Sequence, residues 1–176
     1  VSSACQENAP KSIGNGLTFP RSLSGREEIC SGIAMLSDRV AVRLRRAGMK
    51  AAGVSLAIRD PDFRDISRQR RLEPPTCLAR ELSQAAVSLA EGCWNMDSPV
   101  RALTVTALYL ISEDQAGVQL DLLGQADAPR RDRLERLDRT LDQIRAKYGR
   151  NAISPASSAG VCQGGVQEED EEGATS

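Results

Sequence analysis

With 176 residues, 40% of them apolar and 27% charged, the chain has room for one domain with a core of its own and some unstructured sequence at its ends. It has no histidine, and Cys5, Cys30, Cys77, Cys93 and Cys162 are scattered without any Cys-x-x-Cys pair, which argues against a zinc site and for a reduced, cytoplasmic protein. No apolar run approaches the ~20 residues that cross a bilayer, and no signal-peptide pattern opens the chain, so no membrane partner is expected.

The formal net charge of -1 hides a segregation. Glu168 to Glu172 is an unbroken run of acids, and without it 23 basic residues face 19 acidic ones. Between Lys11 and Arg80 the excess is sharper, 14 basic against 7 acidic. A basic body with an acidic tail suits a polyanionic partner, the tail either free in solution or competing weakly for the same face.

Residues 1–10 show no periodicity and are expected to be a linker from upstream domains. Lys11 to Phe19 alternates at the period of a strand: Ile13, Leu17 and Phe19 point one way, and Ser12, Gly14, Gly16 and Thr18 the other. A strand face of glycine and small hydroxyls lets a large ligand approach the backbone amides, and Lys11 adds positive charge at its entry. Ser24 with Glu27 reads as a capping box, followed by Ile29, Ile33, Leu36, Val40 and Leu44 at helical spacing and closed by Gly48. Val54, Leu56 and Ile58 alternate with Ser55, Ala57 and Arg59 in a second strand that ends in the turn Asp60-Pro61-Asp62. These aspartates, with Asp65, read as a hydrophilic hairpin, and no metal is expected on them.

Arg64 to Leu72 is expected to return as a third strand, antiparallel to the second. Its Ser67-Arg68-Gln69-Arg70-Arg71 stretch reaches both sides of the strand with groups suited to phosphates. Pro74-Pro75-Thr76 is read as stopping that strand and capping a second helix, with Leu78, Leu82, Ala86, Leu89 and Cys93 in line. Val100 to Ile111 completes the set, with Leu103, Val105 and Ala107 on one side and Ala102, Thr104 and Thr106 on the other. The fold class is therefore α+β: a βαββαβ, ferredoxin-like split βαβ over residues 11–112, an antiparallel or mixed four-stranded sheet with both helices on one face.

The opposite face is then bare, made of small, polar or arginine positions and containing no predicted aromatic. Residues 113–128 form a linker, and Pro129 opens a third helix over residues 129–153 with Leu134, Leu137, Leu141, Ile144 and Tyr148 as a docking stripe or, alternatively, a coiled-coil seam. A monomer is the expectation. Residues 154–176, rich in Ser, Gly, Ala and acid, are expected to be disordered. No constellation for catalysis is present: no histidine base, phosphate loop or nucleophile elbow.

Lys11-Ser12-Ile13-Gly14-Asn15, the strand with Ser67-Arg68-Gln69-Arg70, Pro74-Pro75-Thr76 and the closing strand together resemble the little finger domain of Y-family translesion DNA polymerases, of the DNA polymerase IV type. The resemblance covers about Lys11 to Ile111. It implies that Lys11, Ser12, Gly14, Asn15 and Thr18, then Ser67, Arg68, Gln69, Arg70 and Arg71, bind backbone phosphates of primer-template duplex DNA. Gln119-Leu120-Asp121-Leu122-Leu123 independently resembles the bacterial sliding-clamp-binding motif Gln-Leu-[Ser or Asp]-Leu-Phe, with Leu123 in place of the aromatic.

Tyr148-Gly149-Arg150-Asn151-Ala152-Ile153 is similar to the C-terminal extension of such polymerases in Gram-positive bacteria. The family's catalytic carboxylates and their magnesium ions are expected upstream of Val1, so this chain alone carries no cofactor and no polymerase activity. The contrasting reading is a sheet-face RNA-binding module or a small-molecule regulatory domain of the same element order.

Overall fold

A computed structural model describes residues 10–116, 128–150, 152–153 and 168–169. Its elements are β1 (Ser12–Leu23), α1 (Arg26–Arg46), β2 (Met49–Arg59), β3 (Asp65–Thr76), α2 (Ala79–Cys93), β4 (Val100–Ser112), α3 (Ala128–Tyr148) and a short β5 (Glu168–Glu169). The βαββαβ order is the expected one. Every pairing is antiparallel, in the order β3-β2-β4-β1-β5, so the split βαβ is filled by β4 lying between β1 and β2.

The core lies between the sheet and α1 and α2. Ile13, Leu17 and Phe19 of β1, Val54, Leu56 and Ile58 of β2, and Leu103, Val105 and Ala107 of β4 meet Ile29, Ile33, Leu36, Val40 and Leu44 of α1 and Leu82, Ala86 and Ala90 of α2. Leu36, Leu44 and Leu82 are wholly removed from solvent, and at ~1.5 to 3 kcal/mol for each large apolar side chain this layer is the main source of stability. Gly32 brings α1 against the sheet: a Cβ there would stand 3.1 Å from side-chain carbons of Leu103 and Leu23. Among the described residues no helix is long and apolar enough to cross a membrane.

Several local signals read differently in three dimensions. Helix α1 begins after Gly25, whose φ is 88°, and no side chain caps it. Glu28, not Glu27, reaches back to accept from the Ser24 N–H at 3.0 Å, and it also takes Arg21 at 2.6 Å. The side-chain hydrogen bond from Arg21 holds the Glu28 carboxyl below its ordinary pKa. Pro74 and Pro75 do not end β3, which runs on to pair Thr76 with Ala51 after a register shift. An edge strand tolerates prolines because the N–H they lack had no ladder partner to lose. Thr76 does not cap α2; its Oγ1 accepts from the Leu78 N–H at 3.0 Å, and Leu78 occupies the cap position.

The β2–β3 hairpin turns through Asp60, which accepts the Phe63 N–H on its carbonyl and the Arg64 N–H on Oδ1. Phe63 then takes a φ of 62° with its ring 77% exposed. Asp65, the other acid of this hairpin, pairs with Arg59 at 2.7 Å, and that bond lowers its pKa.

Helix α3 lies on the body through charges. Arg45, 4% exposed, binds Asp142 at 2.6 Å and Asp138 at 3.0 Å; Lys50 meets Glu135 at 2.6 Å; Arg131 meets Glu81 at 2.9 Å; Arg145 meets Asp38 at 2.7 Å. The leucine stripe is secondary. No residue of α3 is buried, and Leu137 and Tyr148 point into solvent. Of the acidic tail only Glu168 and Glu169 are described, and they form β5 beside Leu17 and Gly16. β1 is an outer strand, and this pairing lies along its free edge.

Candidate nucleic-acid interface

The sheet face turned away from α1 and α2 has no described layer over it. Register fixes its membership. Ser12 stands opposite Leu108, Gly14 opposite Thr106, Gly16 opposite Thr104 and Thr18 opposite Ala102. On the other half, Gly53, Ser55, Ala57 and Arg59 of β2 pair with Arg71, Gln69, Ser67 and Asp65 of β3. The surface thus runs from hydroxyls and glycines at β1 and β4 to amide and guanidinium at β3.

The glycines of β1 have a packing cause. A Cβ on Gly14 would lie 2.9 Å from the Thr106 Oγ1, and one on Gly16 only 2.7 Å from the Thr104 Oγ1. The threonine hydroxyls of β4 lean into the space those side chains would take, so the face is flat and lined with hydroxyls instead of bare amides. On the outer edge, Arg43 of α1 donates to the Gly14 carbonyl at 2.7 Å.

The structure brings Ser12, Gly14, Thr18, Ser67, Gln69 and Arg71 to this one face, with Lys11 exposed at its corner. Asn15 is not there. It alternates with Gly14 and Gly16 onto the helical side, 9% exposed, beside Ile13 and Leu17. The parity of the strand already carried that signal. Arg68 and Arg70 stand opposite Leu56 and Val54, so they lie on the helical side of the outer strand β3. Both are exposed; Arg70 reaches Ser88 of α2 at 3.4 Å, and Arg68 donates to the Ser67 carbonyl at 2.8 Å. The basic strand therefore presents cations on both sides of one sheet edge, a rim that can follow a phosphate backbone while the flat face lies against it.

One aromatic was missed. Tyr109 has a φ of 52° and its ring lies over Gly53 on the open face, with the Arg71 guanidinium carbon 4.8 Å from the ring centroid. Strand alternation assigns Tyr109 to the core side and gave no warning. Gln119 to Leu123 lies outside the described residues; the chain enters it from buried Ala116 and leaves it into α3.

Residues 10–122 match the impB/mucB/samB family C-terminal domain. The chain belongs to this family. Among its similar relatives are DNA polymerases IV: that of Acetivibrio thermocellus is 36% identical over 139 residues, which is 79% of this chain and 34% of the relative. That of Pelotomaculum thermopropionicum is 34% identical over 88% of this chain and 37% of its own length. That of Moorella thermoacetica is 35% identical over 88% of this chain and 38% of its own.

The chain thus spans little more than a third of these relatives. A solved complex of the beta-clamp processivity factor and the little finger domain of PolIV is similar over 57% of this chain and 89% of that one, at 16% identity and a TM-score of 0.48. Membership in the impB/mucB/samB family bears out the resemblance drawn from the Lys11 and Ser67 strands.

Proposed function

We propose that this domain grips primer-template duplex DNA through its backbone phosphates, as the C-terminal part of a Y-family polymerase engaged in lesion bypass, and that Gln119 to Leu123 tethers it to the bacterial sliding clamp. The observation that carries the reading is the uncovered sheet face bordered by β3, where Arg68, Arg70 and Arg71 are all exposed. A sandwich or barrel would cover such a face with apolar side chains; here Ser12, Thr18, Ser55, Thr104, Thr106, Ser67 and Gln69 keep it wet. Hydroxyls and cations on a flat surface suit contacts that position a duplex and read little base sequence. The work of the domain is grip. Nucleotidyl transfer, with its metal ions, belongs in this reading to the rest of the polymerase.

Fluorescence anisotropy with a labelled duplex at several salt concentrations tests the grip. The wild-type chain is expected to bind many sequences alike. Arg68→Ala with Arg70→Ala should lower the slope of log K against log salt by about 0.9 for each phosphate that the strand no longer neutralises. An unchanged slope rejects the β3 rim. The tether is tested separately, by Gln119→Ala with Leu122→Ala against purified clamp: binding should collapse while duplex affinity and melting temperature stay with the wild type.

A further inference from the structure

Tyr109 breaks the alternation of β4. Counting by two from Leu103, Val105 and Ala107, its ring belongs beneath the helices; the positive φ turns it to the open face instead. Left-handed backbone is an outlier for a bulky aromatic residue, and such positions persist only where the surroundings hold them. No chain reversal requires it here, since Leu108 and Leu110 on either side keep their register with Gly53 and Ala51 of β2.

The ring has a prepared seat. A Cβ on Gly53 would stand 2.6 Å from the Tyr109 Cδ2 and 3.0 Å from its Cε2, so only glycine admits the ring. Opposite Gly53 in the β2–β3 ladder is Arg71, whose guanidinium carbon is 4.8 Å from the ring centroid. Three strands thus converge on one arrangement: a turned backbone, an omitted side chain and a guanidinium stacked on a ring. Among the described residues no carboxylate pairs with Arg71.

We propose that Tyr109 is a positioning residue that holds the Arg71 guanidinium on the open face, ready for a phosphate of the bound duplex. This rests on the reading of that face as the DNA grip. With its central carbon over the ring, the guanidinium keeps N–H groups directed away from the ring that can donate to a phosphate. An arginine restrained before binding has less rotamer freedom to lose when the phosphate arrives, which is where the affinity comes from.

The test compares the wild-type chain with Tyr109→Leu, Tyr109→Phe, Gly53→Ala and Arg71→Ala by anisotropy across salt concentrations. Tyr109→Leu, and Gly53→Ala with the aromatic intact but displaced, should weaken duplex binding roughly two- to fivefold, the scale of an exposed cation–π contact. Both should shift the salt slope toward that of Arg71→Ala, and Tyr109→Phe should keep wild-type values. Adding Tyr109→Leu to Arg71→Ala should cost nothing more. Without DNA, the Arg71 Hε resonance should lie upfield in wild type and Tyr109→Phe and return to its ordinary position in Tyr109→Leu, which reports the stacking by itself.

If Arg71→Ala weakens binding while Tyr109→Leu and Gly53→Ala do not, the positioning role is overturned and the DNA grip stands. If Arg71→Ala and the Arg68 and Arg70 variant all bind as wild type, the grip on this face falls and takes the positioning role with it.

Discussion

Replacing Arg45 with alanine should release α3 and leave the sheet standing. Arg45 sits in the last turn of α1 with its side chain 4% exposed. Its Nε and Nη2 donate to the two oxygens of Asp142 at 2.6 and 2.9 Å, and its Nη1 to Asp138 at 3.0 Å and to the Cys77 carbonyl at 2.9 Å. Burial alone would weaken the charge on Arg45, but Asp142 and then Asp138 outweigh it and raise its pKa. Asp138 responds the other way: burial pushes its carboxyl above the ordinary range despite Arg45.

The bidentate contact with Asp142 is thus the stronger half of the latch. A group raised in the folded state contributes stability that is fully present below its unfolded pKa and is lost as pH rises through the folded value, so ionised Asp138 is a burden at neutral pH. Removing one partner of a buried ion pair costs about 3 to 5 kcal/mol. Asp138 and Asp142 retain 22% and 17% exposure, which points to the lower end, about 3 kcal/mol, or roughly a hundredfold in an opening equilibrium. Since no residue of α3 is buried, that loss falls on the docking of the helix and not on the core.

Native-state hydrogen exchange should therefore show α3 amides exchanging roughly a hundredfold faster in Arg45→Ala, with β2 and β4 close to wild type. Asp142→Asn should do nearly the same, and Asp138→Asn much less. Equal acceleration in α3, β2 and β4 would refute the reasoning, because it would make the helix part of one cooperative unit.

Gly16→Ala should destabilise the domain by about 1 to 3 kcal/mol in urea, because its Cβ would crowd the Thr104 Oγ1 at 2.7 Å; adding Thr104→Ala should recover most of the loss, and failure to recover would place the strain elsewhere. Cys77 is fully buried and its thiol is pushed up to about 11, first by burial and then by the charge of Glu135, so thiol reagents at pH 8 should reach it only in urea. Its contribution to stability is fully present below the unfolded thiol pKa and is lost as pH rises past that value toward about 11. Cys77→Ala should accordingly lose less stability on going to alkaline pH than the parent does, and reaction of Cys77 at equal speed in buffer and in urea would contradict its burial.

What the sequence made legible was parity. Ile13, Leu17 and Phe19 against Ser12, Gly14 and Thr18, and likewise Val54, Leu56 and Ile58 against Ser55 and Ala57, separate the two faces by alternation alone, and with them most of the open surface. Asn15 joined the candidate site through the family resemblance alone, and its place in that count already puts it on the helical side. Tyr109 was out of reach, because one backbone dihedral reverses the face and no residue type announces it.

Strand order was equally closed to inspection, since alternation says that β4 is a strand and nothing about its insertion between β1 and β2. In α3 the three-four spacing of leucines gave the helix correctly but not its mode of attachment. Leu134, Leu141 and Ile144 are half-covered, whereas Asp138, Asp142 and Glu135 choose the partners, and opposite charges on α1 and β2 cannot be matched to them along the sequence.

A sheet that leaves one face uncovered risks recruiting copies of itself along its rims. Here both rims carry features that work against that. On β3, Pro74 and Pro75 offer no N–H, and Arg68, Arg70 and Arg71 would meet their own kind across any symmetric ribbon. On β1, Pro20 interrupts the donors, Arg43 occupies the Gly14 carbonyl, and Glu168 and Glu169 lie along Leu17 and Gly16. Missing donors, like charges and an occupied carbonyl thus weigh against ribbon formation along the rims, which lets the exposed face stay flat and sparsely decorated.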